Sequence, residues 1–312
     1  MKHLEGPLLS GEKILVTGVT GSVAGPLARF LANENEVWGL ARFRDSERRE
    51  HLEQAGIMTC AGDVSSGGFE GVPDDFTYVL HLAWARGDFS RLHDVLRVNV
   101  EGTGLLLQHC RKAKAALVMS STAVYSTNSD PWHAFTEDDP VGNGAAGHTA
   151  STSPASKLGQ ESVARFCALA FELPVVIARL NTFTGIPRSL PGLYVASVLG
   201  DRPVVLPGDP FPHSPIDVED MKAQLEPLLD AASTPALTVN WCGDDVITAR
   251  EWIALAAEWA GTDPRVTVEE TQGGVTGNVS DAARRQAITG PCTRSAADSY
   301  RTLYESMMRS AH

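Results

Sequence analysis

An apolar run, Lys13-Ile14-Leu15-Val16, opens into a glycine-bearing turn, Thr17-Gly18-Val19-Thr20-Gly21-Ser22-Val23-Ala24-Gly25, and then into a helical stretch over 26–33. That succession restricts the chain to very few folds. A short continuous apolar run bounded by a turn reads as a buried strand, and a second one follows over 36–42. Strand, turn, helix and strand make a βαβ unit, and the pattern continues. Further strand-like runs occupy 58–61, 78–83, 116–120 and 175–179, with helical segments over 92–110 and 156–172 between them. Runs that are apolar throughout belong in a parallel sheet covered on both faces. The expected fold is α/β, a doubly wound parallel sheet of Rossmann type.

After Arg179 the texture changes. Residues 185–215 are rich in Gly and Pro, a helix is expected over 218–231, a strand over 237–241, and an amphipathic helix over 248–260. This part reads as a smaller lobe interleaved with the end of the sheet.

Composition narrows the range of partners. Against 26 Lys and Arg stand 38 Asp and Glu, a formal net charge of −12. Such a surface repels phosphate backbones and anionic lipid heads, so nucleic acid and membranes are not expected partners. The cysteines (Cys60, Cys110, Cys167, Cys242, Cys292) are scattered and form no CxxC pair. That spacing offers no metal site and no disulfide framework, and suits free thiols in a reducing compartment. Residues 1–11 lack the apolar stretch of a secretory signal, and no apolar run reaches spanning length. A soluble cytoplasmic protein is the expectation.

Glycines directly after the first strand let the backbone approach a pyrophosphate, and the helix that follows presents free N–H groups and a partial positive charge. The end of the second strand discriminates between dinucleotides. An acid there would bond the ribose hydroxyls of NAD, whereas Arg pairs with a 2′-phosphate. This chain offers Arg42 and Arg44, with Asp45 three positions late for the first role. NADP(H) is therefore favoured over NAD(H).

These residues carry a family resemblance. Thr17-Gly18-x-x-Gly21, Gly62-Asp63-Val64, His81-Leu82-Ala83, Asn99-Val100-Glu101-Gly102-Thr103, Ser120-Ser121-Thr122-Ala123-Val124-Tyr125 and Ser156-Lys157-Leu158-Gly159-Gln160-Glu161 follow in order, with 179–185 and 216–220 as later landmarks. The chain resembles the extended short-chain dehydrogenases/reductases, the NAD(P)-dependent epimerase/dehydratase group. The resemblance implies a cofactor domain over 11–180, completed by 216–232, and a substrate lobe formed by 181–215 and 233–312. For the cofactor it implies Gly18, Thr20, Gly21, Ser22, Val23, Arg42, Arg44, Asp63, Val64, Leu82, Ala83, Ala85, Asn99, Ser120 and Lys157. For a small-molecule substrate it implies Trp84, Ser121, Thr122, Asn181 and Thr182, and it admits a homodimer.

One position breaks the pattern. The family's acid/base is a Tyr four residues before the Lys, one helical turn away, where the ammonium lowers the phenol pKa. Here Ser153 stands at that position, and a serine hydroxyl is far too weak an acid to replace a phenol. The candidate catalytic residues are Ser121, Lys157, Ser153 and, as a histidine in the loop before the helix, His148. His133 and Tyr125 are weaker candidates, and Glu137, Asp138 and Asp139 read as a solvated acidic cluster. Ala24 replaces the loop's usual third glycine, a modest change. The stretch 180–185 lacks the Asn and Tyr placement of sugar-nucleotide enzymes. Together with Trp84, Phe89, Trp132, Phe135, Leu190 and Tyr194, this favours a fairly apolar substrate. The expected function is NADP(H)-dependent oxidation or reduction of an alcohol or carbonyl. A non-redox lyase, isomerase or dehydratase, or a non-catalytic NADP-binding sensor, remain alternatives because the phenol is missing.

Overall fold

The apolar runs pair with one another in the computed structural model, which describes residues 9–142, 144, 151–269 and 276–310. They form a seven-stranded sheet of β1 (Lys13–Thr17), β2 (Glu36–Ala41), β3 (Met58–Ala61), β4 (Tyr78–His81), β5 (Ala115–Ser121), β6 (Val175–Leu180) and β7 (Leu237–Trp241). The order is β7-β6-β5-β4-β1-β2-β3, and every pairing is parallel. Strand order reverses between β1 and β4. In such sheets ligands bind at that switch point, outside the carboxyl ends of the strands.

Helices cover both faces, as continuous apolarity requires. On one side α1 (Ala24–Leu31) packs with a later helix (Val218–Asp230) over Ile14, Val16 and Leu80. Between β2 and β3 runs a short helix, α2 (Ser46–Gln54). On the other side Leu15, Val79 and Val118 meet α4 (Gly102–His109) and α5 (Ser153–Phe171), with α3 (Leu92–Leu96) packed against α5. A single π turn, Arg97–Glu101, joins α3 to α4 without breaking the helical run. Helix α5 begins three residues before the expected start, because Pro154 fits the first turn, where its missing N–H has no partner to lose. A second lobe packs α6 (Leu190–Leu199) against two further helices (Ala249–Ala260 and Ala296–Ser310) around Trp252 and Tyr300. Among the described residues no helix is long and apolar enough to cross a membrane.

The structure corrects one boundary. Residues 237–241, assigned above to the substrate lobe, are the edge strand of the main sheet, with Leu237 opposite Val176 and Trp241 opposite Leu180. Strand β6 is buried along its whole length, so its polar backbone must be paired on both edges. A helix over Ala283–Thr289 lies against β7 as well.

Helix α5 is fixed to the sheet by a buried ion pair. Glu161 accepts two bonds from Arg179 of β6, at 2.9 Å to each carboxylate oxygen, and a third at 2.6 Å from the Ser120 hydroxyl of β5. Burial alone would raise the Glu161 carboxyl, but the bonds and charge of Arg179 outweigh it and hold the group below its ordinary value. Removing one partner of such a pair leaves a buried charge and costs about 3–5 kcal/mol. Glu161→Gln is therefore expected to lower unfolding stability in urea by a few kcal/mol. Because the folded value is depressed, this contribution is present above the ordinary carboxyl value of 4.5 and is lost as pH falls through the lowered one. The variant should lack that part of the acid-side decline; a parallel pH profile would rule the assignment out.

Candidate active site

At the switch point the backbone of β1 approaches that of β4 closely. Gly18 has φ +69°, and a Cβ there would lie 2.7 Å from the Ala83 Cα, so no other residue fits. Thr17 holds the opposing segment by accepting the amides of Leu82 and Ala83 at 3.2 and 3.1 Å. The same hydroxyl meets His81 Nδ1 at 2.8 Å, and His81 Nε2 meets Thr103 at 2.8 Å. Burial pushes His81 down to about 3, so it stays neutral and acts as a structural tie. Helix α1 starts at the end of this turn with no acidic residue in its first turn. Its N-terminus is a cradle for phosphate. Gly18, Thr20, Gly21, Ser22 and Val23 all line a cleft of about 1140 Å³ that runs across the carboxyl ends of the strands.

One end of the cleft is basic. Arg42 and Arg44, both exposed, line it beside Asp63 and Val64. Asp45 is committed elsewhere, capping α2 through the Arg48 amide at 3.2 Å and pairing with the Arg48 guanidinium at 3.0 Å. Asp63 accepts the amide and hydroxyl of Ser65 at 3.0 and 2.7 Å. Burial works to raise its carboxyl, but those bonds and the charges of Arg42 and Arg44 hold it below the usual value.

Further along lie Leu82, Ala83, Trp84, Ala85, Ser120, Ser121 and Lys157. Lys157 is buried, and its ammonium donates to the Met119 carbonyl at 2.6 Å and to Gln160 Oε1 at 3.0 Å. It also faces the Trp84 ring, 5.5 Å from the centroid, while Arg86 lies 4.7 Å from the same ring. Burial lowers Lys157 to about 7 against a smaller opposing effect of Glu161. Ser121 accepts the Ala123 amide and caps the turn that follows β5.

Two of the expected site residues are placed differently. Asn99 does not line the cleft; buried on the π turn, it accepts the Ala85 amide at 2.8 Å and donates to the Ala85 carbonyl at 3.0 Å. It shapes the wall from behind by holding the Ala85 backbone. Ser153 is buried in the first turn of α5 and does not line the cleft either. Its short side chain cannot reach where a phenol would. His148 lies outside the described residues.

The far half contains Thr122, Asn181 and Thr182 as expected, and adds Asn278, Phe211 and His213, which sequence reasoning missed. Their membership depends on how the second lobe folds over the sheet, which no local pattern encodes. Of the apolar side chains expected near a substrate, Trp84, Phe135 and Leu190 line the cleft; Phe89 and Trp132 are exposed outside it, and Tyr194 is in the lobe core. Tyr125 lines the cleft but donates its hydroxyl to Asn240 at 2.6 Å, and burial raises it to about 12. Glu137 is not solvated: it is buried and accepts the Asn240 amide. His133 pairs with Asp139 away from the cleft.

Residues 14–209 match the NAD dependent epimerase/dehydratase family. A search of curated proteins finds no match. Among solved structures, the UDP-glucuronic acid 4-epimerase of Bacillus cereus, in complex with UDP-glucuronic acid and NAD, superposes with a TM-score of 0.81 at 19% identity, covering 95% of this chain and 99% of that one. The UDP-N-acetylglucosamine 4-epimerase of Methanobrevibacter ruminantium gives 0.82 at 16% identity, covering 97% and 100%. The dTDP-glucose 4,6-dehydratase of Bacillus anthracis, in complex with NAD, gives 0.79 at 17% identity, covering 96% and 97%. At these identities the likeness is one of fold.

The buried lysine has a measurable consequence. An unfolded lysine ionises at 10.5 and Lys157 at about 7, so between these values the unfolded chain binds the extra proton and this group adds stability as pH rises. Wild type should gain stability relative to Lys157→Met from pH 7 to pH 10.5, followed by urea denaturation. A constant difference across that window would show that the ammonium is not desolvated. Ser153→Ala should change stability by less than about 0.5 kcal/mol, as expected where no cap or core volume is lost.

Proposed function

The chain belongs to the NAD dependent epimerase/dehydratase family, and from that premise we propose that it is an NADP(H)-preferring oxidoreductase acting on a carbonyl or alcohol of a small, fairly apolar molecule. The observation that carries the reading is the basic end of the cleft. Arg42 and Arg44 line it while both neighbouring acids are engaged, Asp45 by the α2 cap and Asp63 by Ser65. Guanidinium groups so placed pair with a 2′-phosphate, whereas NAD recognition calls for a free carboxylate. The structural neighbours from Bacillus cereus and Bacillus anthracis hold NAD; the preference for NADP(H) rests on this chain's own two arginines.

The turn at Gly18 and Gly21 lines the cleft, and α1 opens beside it with no acidic residue in its first turn, which suits the phosphates of a dinucleotide. When bound, the nicotinamide supplies the hydride chemistry. The chain's own groups do the rest. Ser121 orients the substrate oxygen, and the third N–H of the Lys157 ammonium, beyond those given to Met119 and Gln160, is available to a ribose hydroxyl. Reduction of a carbonyl also needs a proton on oxygen. Lys157, lowered to about 7, is matched to proton exchange near neutrality, and Ser121 or a water can relay it. Tyr125 cannot serve, being held by Asn240 and raised to about 12.

A second reading, a dinucleotide-binding protein without hydride transfer or a non-redox enzyme on the same fold, is favoured by the burial of Lys157, 2% exposed with its ammonium facing the Trp84 ring. Titration with NADPH and NADH, followed by protein fluorescence, and then a panel of neutral carbonyls distinguish the two. NADPH is expected to bind at least about tenfold more tightly than NADH, the worth of one charge-assisted pair. The Arg42→Ala, Arg44→Ala double variant should erase that ratio. Binding without turnover across the panel supports the second reading, and failure to bind either dinucleotide overturns both.

A further inference from the structure

We propose that a recess behind the phosphate turn (residues 18–22) is a second anion site, which takes the diphosphate group of a small molecule while the cleft holds its dinucleotide. The recess, of about 470 Å³, is lined from α1, from α2 and by Ile186 and Arg188 of the segment after β6. Thr20, Gly21 and Ser22 stand between it and the cleft, lining both. Its size falls within the ~300–1,000 Å³ of ordinary small-molecule sites.

The first observation is the charge of the lining. Arg29 of α1, Arg48 and His51 of α2, and Arg188 all line the recess, and among the described residues no aspartate or glutamate does. The chain carries −12 overall, and several exposed arginines elsewhere are claimed by carboxylates: Arg91 by Asp94, Arg250 by Asp209 and Arg301 by Glu305. In the recess only Arg48 is claimed, by Asp45. The Arg29 and Arg188 guanidinium groups make no hydrogen bond, ion pair or ring contact with the described residues. Cations gathered in one concavity repel one another, and a multiply charged anion shared among them relieves that repulsion.

The second observation is where the donors point. A Cβ at Gly25 would lie 3.6 Å from Arg29 Nη2, so the Arg29 guanidinium lies over the first turn of α1. That turn has no acidic residue, and Val23 before it makes no side-chain cap bond, so the partial positive charge of the helix end is unopposed at the same place. Arg48 and His51, three residues apart, share one face of α2 on the opposite wall. The Thr20 and Ser22 hydroxyls, without a partner among the described residues, add two neutral donors. Forked guanidinium groups converging from α1, α2 and the 186–188 segment match the many oxygens of a diphosphate better than the two of a carboxylate. Val19, Pro26, Leu52 and Ile186 leave an apolar remainder for an organic part of the ligand.

The test is calorimetry on the whole protein saturated with NADPH, and again without it, titrated with pyrophosphate and with ADP. One equivalent of pyrophosphate is expected to bind the NADPH-saturated protein with a Kd of about 0.1 mM or tighter. Arg29 lines the recess and not the cleft. Arg29→Gln should therefore weaken pyrophosphate about tenfold, the worth of one charge-assisted pair, with NADPH affinity and melting temperature unchanged. Tighter binding of ADP with the same dependence on Arg29 identifies a diphosphate carried on a nucleoside, and tighter binding of pyrophosphate a free one; either order supports the site. Binding of neither to the NADPH-saturated protein would place the anion in the dinucleotide's own phosphate site and overturn the inference. Binding that Arg29→Gln leaves unaltered would overturn it as well. A protein that takes up neither dinucleotide, yet binds pyrophosphate through Arg29, counts against the proposed redox function and not against this site.

Discussion

A single buried carboxylate organises the catalytic side of the molecule. Glu161 receives two bonds from Arg179 and one from Ser120, so α5, β5 and β6 converge on one charge. Arg179 passes the constraint on: it donates to the Glu137 carbonyl and lies 4.9 Å from the Tyr125 ring, whose hydroxyl is held by Asn240 of β7. An ion pair out of water is tolerable only when its hydrogen bonds are filled, and here they are. Lys157 lies one turn before Glu161 on the same helix face. The depth and rotation of the lysine in the cleft are therefore set by an interaction that never touches a ligand.

Charge is distributed in the opposite sense to composition. The chain carries −12 overall, yet the phosphate turn end of the cleft gathers Arg42, Arg44, Arg48 and Arg188, with Arg29 in the adjoining recess. An acidic surface slows the approach of any anion, and local focusing in a low-dielectric cleft is what restores affinity for one. That focusing is confined to the basic end. Beyond Ser121 the wall consists mainly of amides, hydroxyls, aliphatic and aromatic side chains and the His213 imidazole, with Asp130 as an acid. Two chemistries thus share one groove, and the boundary between them lies at the carboxyl end of β5.

What the sequence made legible follows from the range of the forces involved. Strands β1, β4, β5 and β6 were readable because a strand buried on both faces is apolar along most of its length, a local signature, whereas β2 and β3, partly exposed, showed only as short apolar runs. Gly18 was readable because only glycine tolerates its φ and its contact with Ala83. Leu237–Trp241 was visible as a strand, but its place in the main sheet depends on the unpaired edge of β6, some sixty residues earlier in the chain. Asn99 was read as a cofactor contact, while the π turn directs it to the Ala85 backbone, and one-dimensional spacing does not reveal an extra residue per turn. The acidic run at 137–139 looked solvated, yet Glu137 is drawn inward by the Asn240 amide. His213 was invisible because its place in the wall is fixed by Thr182 and Trp252, contacts from two distant segments, beside its near neighbour Phe211.

The absent phenol alters the lysine beside it. In a Tyr-x-x-x-Lys pair the ammonium stabilises a phenolate and is itself stabilised by that charge. With Ser153 in the tyrosine's position no such anion can form, and Lys157 keeps only the Met119 carbonyl, Gln160, the Trp84 face and the more distant Glu161 to offset its burial. Those partners are too few to hold it at its ordinary value, and it falls to about 7. The substitution that removes the proton donor thereby leaves a lysine whose own acidity lies in the neutral range. That lysine is 2% exposed, with its ammonium 5.5 Å from the centroid of the Trp84 ring, so burial sets its acidity against the smaller opposing effect of Glu161 one turn along.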